Sequence, residues 1–458
     1  MTQVSPSAPT ARSESALVAV PRRQLSVWHA MSICIGMVIG AGIFKTSPMV
    51  AQNLDSANAL YLAWVLGGAL SLIGALCFAE ISAAFPDAGG DYYFLRKAYG
   101  DRTAFLFAWS RFAIIHTGSM ALLAFVCADY VNQVVALGPM GSGVLAAMSI
   151  AVLVLLNLRG IRIGLGAQIA LVLLVVLGLV LAVGAGVFLS ATSAVQPAPN
   201  VPRESLSWGT AFVFVFLAYG GWSDASTLSS EMRDEKRGIV WALVGGMAIV
   251  VLLYVATNWA YVRGLGLDGL AKSEAPAADL MRVAFGPVGE WVMVVIVAIT
   301  AISVMNAILI TGARTTYAAA RDLPALHRFA RWDDGRGIPP LTLIAMGVVA
   351  IALVVFGTAT RGGFSTMVDY LSPVYWAFCA ASAASVMVLR ARFPDAPRPF
   401  RVPLYPWLPL AFTATCLYLL YSSVAYVAAG AVVGVLVLLL GVGVWWGLNR
   451  RVGDSVER

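Results

Sequence analysis

Two apolar stretches of the chain are each interrupted by glycine. Gly40-Ala41-Gly42 lies within the apolar run 26–44, and Gly220-Gly221 lies within the run 208–229. In hydrocarbon every backbone N–H and C=O group needs a hydrogen-bond partner, so irregular backbone persists only where it lines a cavity or packs against protein. Each break falls in the first helix of a predicted block of five spans. Paired breaks of this kind predict a solute site at the middle of the bilayer.

The chemistry of such a site would come from the backbone. The first half of a broken helix ends on free carbonyl oxygens, and the second half begins with free N–H groups. Helix dipoles add a favourable sign at each end. A carboxylate and an ammonium on one carbon would therefore find donors and acceptors together. The alternative role for these glycines is close helix packing, since Gly36 and Gly40 have the GxxxG spacing common in membrane bundles.

Ionisable side chains inside the spans are the second set of candidates, because a charge in the membrane is costly and often functional. Arg111 lies near the midplane in the third span, and Asp224 lies just past the break in the sixth. Helical rise puts them at similar depth, so we predict an ion pair; the alternative is that each meets water or backbone separately. His116 could carry a proton at physiological pH or make a local hydrogen bond. Glu80 and Asp369, near span ends, are predicted to be structural.

The composition places all of these residues in a membrane protein. The 458 residues are 60% hydrophobic and 12% charged, with a mean hydropathy of +0.83, whereas soluble domains are about a quarter charged. Twelve stretches are long enough to cross a hydrocarbon core of about 30 Å. They are 26–45, 59–83, 103–129, 142–158, 165–190, 208–229, 239–262, 286–313, 340–357, 365–389, 406–424 and 427–447.

The distribution of Lys and Arg predicts the orientation. With the N-terminus in the cytoplasm, 23 of the 30 basic residues fall in the tails and even-numbered loops, six fall on the opposite side, and Arg111 lies within a span. The positive-inside rule then predicts that both termini are cytoplasmic. The net charge of +7 reflects a face beside anionic lipid, not nucleic-acid binding. The polar segment 1–25 is predicted to be a tail and not a signal peptide.

Cysteine and histidine give no sign of a metal site or cofactor. The five cysteines all fall inside predicted spans without CxxC spacing, which predicts small packing residues. The three histidines lack ligand spacing. A membrane enzyme would also need a cluster of nucleophile, base or metal ligands, which the sequence does not show. A channel or solute sensor remains an alternative to a transporter.

Several motifs, in order along residues 25–400, resemble one known family. The segment 35–44 resembles the first-helix signature of the amino acid–polyamine–organocation superfamily, and 85–92 resembles its first cytoplasmic loop. The segment 218–222, followed by Ser230-Glu231, is similar to the sixth helix of the L-type amino acid transporter branch, closest to its bacterial members. Residues 303–314 fit the eighth helix through Ser-Val-Met-Asn and Gly-Ala-Arg.

The resemblance implies an all-α polytopic fold of twelve helices, LeuT-like, in which helices 1 and 6 are broken. Two inverted five-helix repeats would span 26–190 and 208–389, followed by two helices over 406–447. The segments 1–25 and 448–458 would be cytoplasmic tails, the first of them disordered. The implied function is secondary transport of neutral L-amino acids by alternating access. The alternative is a carrier of cationic amino acids or polyamines, with Asp224 meeting the second ammonium.

The resemblance also assigns backbone roles at the breaks. The amides of Ala41 and Gly42 would hold the carboxylate, and carbonyls near Val38, Leu217 and Gly220 would accept from the ammonium. Leu217 stands where the family often has an aromatic residue that closes over the substrate, so it either leaves space for a larger side chain or simply packs. The predicted substrate-binding set is Val38, Gly40, Ala41, Gly42, Leu217, Gly220, Gly221 and Trp222.

Coupling is left open by one departure from the family pattern. L-type relatives commonly carry a lysine on the fifth helix in place of a sodium ion, and here that position corresponds to Val175. Thr300 and Ser303 on the eighth helix offer hydroxyl ligands for a cation there, although such hydroxyls usually bond back to their own helix. Proton coupling, sodium coupling, obligatory exchange and facilitated passage are the alternatives, with Arg111, Asp224 and His116 as further coupling or gating candidates.

The loops bear on partners and location. The segments 85–100 and 313–336 mix Arg with Asp, which predicts inner-gate salt bridges or, as the alternative, solvated loop charge. The loop 131–141 contains no cysteine, so the disulfide to a glycoprotein subunit that some L-type relatives form is excluded. The short loops favour a bacterial inner membrane as the plasma membrane concerned.

Overall fold

The computed structural model describes residues 26–40, 42–87, 89–160, 165–192, 206–232, 238–321, 328–333, 335–360, 362–426 and 429–456. Within these residues no β-strand forms, and extended pairing is limited to isolated bridges such as the one between Asp333 and Ile338. The described chain is therefore all-α, which confirms the predicted fold class. Ala41 and the segment 1–25 lie outside the described residues.

The helices follow one another with short connections. They are α1 (Val27–Val38), α2 (Ile43–Gln52), α3 (Ala57–Ala84), α4 (Asp91–Tyr99), α5 (Asp101–Ser110), α6 (Thr117–Val135), α7 (Gly138–Leu158), α8 (Leu165–Thr192), α9 (Trp208–Tyr219), α10 (Gly238–Lys272), α11 (Pro276–Arg321), α12 (Pro340–Ala359), α13 (Phe364–Arg392), α14 (Trp407–Tyr426) and α15 (Ala429–Val456). A π-helical segment, Arg111–His116, joins α5 to α6, and a 3₁₀ segment, Trp222–Glu231, follows α9.

Nine of the described helices are long and apolar enough to cross a membrane, and the bent pair α1 and α2 makes ten. The two other predicted spans fall short for visible reasons. α9 has only 12 residues because Gly220 ends it, and the apolar part of α15 covers only 432–447. The protein is a polytopic membrane protein, while the predicted count of twelve spans is not reached by length and composition alone.

The first break is built from short-range backbone bonds. α1 begins at Ser26, whose hydroxyl accepts from the His29 N–H, and it ends where the Gly40 N–H donates to the Val38 carbonyl at 2.7 Å. α2 begins beyond Gly42, whose carbonyl accepts from two following amides. The two helices meet at an angle of 47°. The predicted break is therefore present as a bend between two short helices.

Three buried aromatic rings fix the positions of α1 and α9 at the ends where the two breaks begin. Tyr219, the last residue of α9, lies between Trp64 of α3 and Tyr254 of α10, with ring centroids 5.5 and 5.1 Å away. The Tyr219 hydroxyl donates to the Trp64 carbonyl at 3.1 Å. The Tyr254 hydroxyl donates to the Val38 carbonyl, also at 3.1 Å. One aromatic cluster thus fixes the ends of α1 and α9 relative to each other.

Candidate functional site

The two breaks lie directly against each other. Gly221 has φ +100°, and a Cβ there would collide with the Met37 carbonyl oxygen at the end of α1. A Cβ on Gly42 would lie 3.3 Å from the Ala218 Cα at the end of α9. Gly221 therefore meets two demands that only glycine satisfies together, a left-handed backbone and contact with another main chain. The structure brings together the two segments that the sequence predicted as one site.

Two of the predicted ammonium acceptors are already engaged. The Val38 carbonyl accepts from the Gly40 N–H at 2.7 Å and from the Tyr254 hydroxyl at 3.1 Å. Because a carbonyl oxygen has two lone pairs, Val38 can accept from a ligand only after one donor leaves. The Leu217 carbonyl accepts from the Gly220 N–H at 3.2 Å, which leaves it one lone pair. Leu217 itself is half-buried.

Side chains from two other helices reach the breaks. A Cβ on Gly220 would lie 3.2 Å from the Tyr375 hydroxyl of α13. A Cβ on Gly40 would lie 3.9 Å from a methyl group of Val304 on α11. Sequence reasoning missed Tyr375, because nothing in the pattern of α13 distinguishes it from other aromatic residues. Its hydroxyl adds a polar side-chain group to a site otherwise made of backbone.

Trp222, another member of the predicted set, takes up a different position. Its indole packs edge-on against Phe78 of α3, with ring centroids 5.0 Å apart, and against Phe412 of α14 at 5.9 Å. The ring is 4% exposed. Trp222 therefore anchors the start of the 3₁₀ segment between α3 and α14, and only its backbone adjoins the break.

The predicted ion pair between Arg111 and Asp224 is confirmed. A guanidinium nitrogen of Arg111 lies 2.7 Å from a carboxylate oxygen of Asp224. Arg111 opens the π-helical segment Arg111–His116, a rare form that is frequent at functional sites. The pair links this segment to the 3₁₀ half of the sixth span. It thus ties the third span to the part of the site that follows the second break.

His116 closes the same π-helical segment. Its Nδ1 is buried and has no hydrogen-bond partner among the described residues. The ring lies against α11, where a Cβ on Gly312 would be 2.7 Å from that nitrogen. The local hydrogen bond considered for His116 is therefore not made by Nδ1.

The hydroxyl candidates on α11 behave differently from each other. The Thr300 hydroxyl donates to the Ile296 carbonyl of its own helix at 2.7 Å, as hydroxyls in membrane helices usually do. Ser303 is buried, with 7% of its surface exposed, one residue before Val304 at the first break. Val175 is also buried. Val175 lies on α8, which is the predicted fifth span. This helix contacts α1, because a Cβ on Gly36 would collide with Val172. The fifth span therefore packs beside the first.

Two further ion pairs tie helices together. Lys45, which sequence analysis counted among outer loop residues, is buried; its Nζ lies 2.7 Å from Asp129 of α6 and donates to the Glu274 carbonyl at 3.0 Å. At the other end of the bundle Glu80 accepts two hydrogen bonds from Arg390 of α13, at 2.7 and 2.6 Å. This contact joins α3 to α13, and the structural role of Glu80 stays a prediction. The role of Lys45 was missed because its long side chain folds back into the protein.

Three known proteins are similar along most of the chain. Large neutral amino acids transporter small subunit 2 of Mus musculus is 27% identical over 448 residues, which cover 93% of this chain and 82% of that protein. Asc-type amino acid transporter 1 of Homo sapiens is 28% identical, with coverage of 93% and 83%. The b(0,+)-type amino acid transporter 1 of Mus musculus is 26% identical, with coverage of 88% and 83%.

The motifs at the two breaks, the all-α fold and these similarities agree. The model of the amino acid permease family matches residues 25–446, and the chain belongs to that family.

Proposed function

We propose that this protein is a secondary transporter of neutral L-amino acids. The observation that carries the proposal is the contact between the two breaks, Gly221 on Met37 and Gly42 on Ala218, in a chain of the amino acid permease family. The contact gathers the end of two helices and the start of two others, the arrangement that suits a carboxylate and an ammonium on one carbon. The similar proteins named for large neutral amino acids support the substrate class.

Alternating access needs contacts that can open on one side of the site while those on the other side stay closed. We call the side that carries α4 the inner side, following the predicted orientation. There, Arg111 holds Asp224. On the outer side, Lys45 joins α2 to Asp129 and Glu274. We propose that these two sets of contacts open in turn.

We further propose the organisation implied by the family. The inverted repeats would be 26–190 and 208–389, with 406–447 as two additional helices and with tails at 1–25 and 448–458. Both termini would be cytoplasmic, in the plasma membrane. The described connection between α6 and α7 has only two residues and no cysteine, which supports a transporter without a disulfide-linked glycoprotein subunit. Transport of this kind needs no covalent step and no cofactor.

A cationic amino acid or polyamine is the second candidate substrate, because Asp224 lies beside the break with 34% of its side chain exposed. The same carboxylate is already paired with Arg111, which favours neutral substrates. Asp224→Asn distinguishes the two classes. Loss of uptake for cationic substrates alone would support the second candidate.

The proposal is tested by uptake of labelled neutral L-amino acids into proteoliposomes containing the purified protein. Internal unlabelled amino acids, a pH gradient and a sodium gradient are supplied in separate preparations, so that the driving force is identified as well. We expect saturable uptake. Absence of uptake under all three conditions would overturn the neutral amino acid assignment.

A matched pair of glycine variants connects the activity to the site. Gly221→Ala introduces a Cβ that collides with the Met37 carbonyl, and we expect at least a tenfold loss of uptake. Gly266 on α10 also has a positive φ, +70°, but has open space around the corresponding position. Gly266→Ala should therefore retain uptake. Equal loss in both variants would mean that backbone strain alone, and not the contact between the breaks, is responsible.

A further inference from the structure

We propose that Asp91 is a proton-binding site, and that a proton on its carboxyl is required for the inner side of the transporter to close. The inference goes beyond the proposed amino acid transport and rests on it, because it concerns a step of that cycle. Asp91 begins α4, a short helix between the second and third spans.

The turn before α4 lies on the 3₁₀ half of the sixth span. Gly90 has φ +50°, and a Cβ there would lie 2.7 Å from a methyl group of Thr227 and 3.0 Å from the Ser226 hydroxyl. Only glycine fits that backbone and that contact together. Because the 3₁₀ segment starts at the break, any movement that opens the inner side must separate it from this turn.

Two polar atoms at this contact are left without partners. Asp91 Oδ1 is buried and has no hydrogen bond among the described residues, and the same holds for the hydroxyl of Ser226, which is 0% exposed. A buried carboxylate oxygen without a partner, such as Asp91 Oδ1, is costly when the group is charged, and much less so when the carboxyl is protonated. The contact as it stands therefore suits a neutral Asp91.

The surrounding charges lead to the same conclusion. Among the described residues, Arg111 is the cation and Asp224 the second carboxylate that act on Asp91 electrostatically. The hydrogen-bonded partner of Arg111 is Asp224, at 2.7 Å, so one guanidinium faces two acids. From α13, Tyr375 and Cys379 also face Asp91. Burial, reinforced by Asp224 and partly offset by Arg111, raises the pKa of Asp91 to about 8.

The consequence is a closure that depends on pH. With the inner side closed, Asp91 holds a proton at neutral pH. Opening hydrates the carboxyl, which then releases its proton into the inner compartment and must be protonated again before α4 can return to the 3₁₀ segment. Alkaline pH in that compartment should therefore slow every cycle that passes through the closed inner side.

The experiment is exchange of labelled for unlabelled amino acid across proteoliposomes, with the pH on each side set independently. For the wild type we expect exchange to fall about tenfold between pH 7 and pH 9 on the inner side, since the protonated fraction falls by about that factor around a pKa near 8. Changing the pH on the outer side should have no such effect. Exchange absent at every pH would instead count against the proposed transport function.

Asp91→Asn mimics the protonated carboxyl and should exchange at a rate independent of inner pH. Asp101→Asn is the matched control, because Asp101 pairs with Arg96 on the same segment but is 68% exposed; it should keep the wild-type profile. A wild-type profile in Asp91→Asn, or dependence on outer pH, would overturn the proposal.

If Asp91→Asn does not transport, the pH dependence of protein stability tests the raised pKa of Asp91 instead. A pKa near 8 in the folded protein, against about 4 in the unfolded chain, means that the folded protein holds an extra proton between these values. Its stability must then fall as pH rises through that interval. The melting temperature of the wild type in detergent should therefore fall relative to that of Asp91→Asn between pH 6 and pH 8. A constant difference would refute the raised pKa.

Discussion

At the scale of single residues, the contact between Arg111 and Asp224 shows what sequence reasoning can reach. Both residues are ionisable in spans where charge is costly, and counting helical rise from each end placed them at one depth. Those two facts predicted the pair, and its 2.7 Å contact decides against the alternative that each residue meets water or backbone separately. Tyr375 and Lys45 could not be predicted in this way. The spacing of residues along the sequence does not show where a tyrosine hydroxyl or a long, flexible lysine side chain points.

Removal of Arg111 should cripple transport. Arg111→Ala leaves the Asp224 carboxylate without its paired cation, and we expect at least a tenfold loss of uptake in proteoliposomes. Arg111→Ala/Asp224→Ala removes the stranded Asp224 charge as well and should recover part of the activity. A double variant no better than either single variant would show that the pair has no energetic role in transport.

Removal of Lys45 should lower the stability of the protein. Its side chain is 6% exposed and that of its partner Asp129 is 20% exposed, so Lys45→Met leaves a largely buried carboxylate unpaired. Such a loss costs about 3 kcal/mol, to be measured by unfolding in detergent. Arg96→Met breaks an ion pair that is 51% and 68% exposed and should cost about 1 kcal/mol or less. Equal costs would show that burial does not govern these pairs.

At the scale of elements, the positions of the breaks could be predicted but their geometry could not. Glycine in an apolar run marks where a membrane helix must interrupt its hydrogen bonding. The sequence held no sign that the second half of the sixth span would be a 3₁₀ segment, or that Arg111–His116 would be π-helical. A hydrophobic period is read over a window of about 11–18 residues, and these segments have only ten and six residues.

The first break is held by two tyrosines, one on each half. Tyr254 of α10 donates to the Val38 carbonyl at the end of α1, and Tyr130 of α6 donates to the Phe44 carbonyl at the start of α2, at 2.7 Å. The two halves are therefore fastened to different helices. We therefore expect that each half can be released separately.

Tyr254→Phe should loosen α1 while leaving α2 in place. Cys34 on α1 is 0% exposed and reports on this movement through alkylation by a membrane-permeant thiol reagent. A hydrogen bond worth about 1 kcal/mol predicts a roughly fivefold faster reaction in Tyr254→Phe. The matched control, Tyr130→Phe, should react like the parent protein, and an equal increase in both would refute separate fastening. The background variant carries Ala at the other cysteines, Cys77, Cys127, Cys379 and Cys416.

At the scale of the whole molecule, contacts are closed on both sides of the site. Lys45 on the outer side and the Arg111–Asp224 pair on the inner side are formed together. Membrane class and fold were predictable, because composition and the order of motifs act over the entire chain. The number of spans was harder to predict, since a broken helix and a weakly apolar final helix both fail tests of length that unbroken helices pass.

The orientation of the molecule is open to a direct test. The 23 to 6 division of basic residues predicts that both termini face the cytoplasm. Protease sites added at each end should be cleaved in inverted membrane vesicles and protected in right-side-out vesicles. Cleavage of the two ends in opposite preparations would mean an odd number of spans.

The double occupation of the Val38 carbonyl ties ligand recognition to movement. A ligand shifts a conformational equilibrium only by binding one conformation more tightly than another. If an incoming ammonium takes the lone pair that Tyr254 now uses, then recognition of the substrate itself detaches α1 from α10. Without substrate, the hydrogen bond from Tyr254 would hold α1 against α10. The ammonium of an arriving amino acid would replace Tyr254 as the donor to the Val38 carbonyl. The substrate would then be transported and would also release α1, the inner half of the first span, for movement.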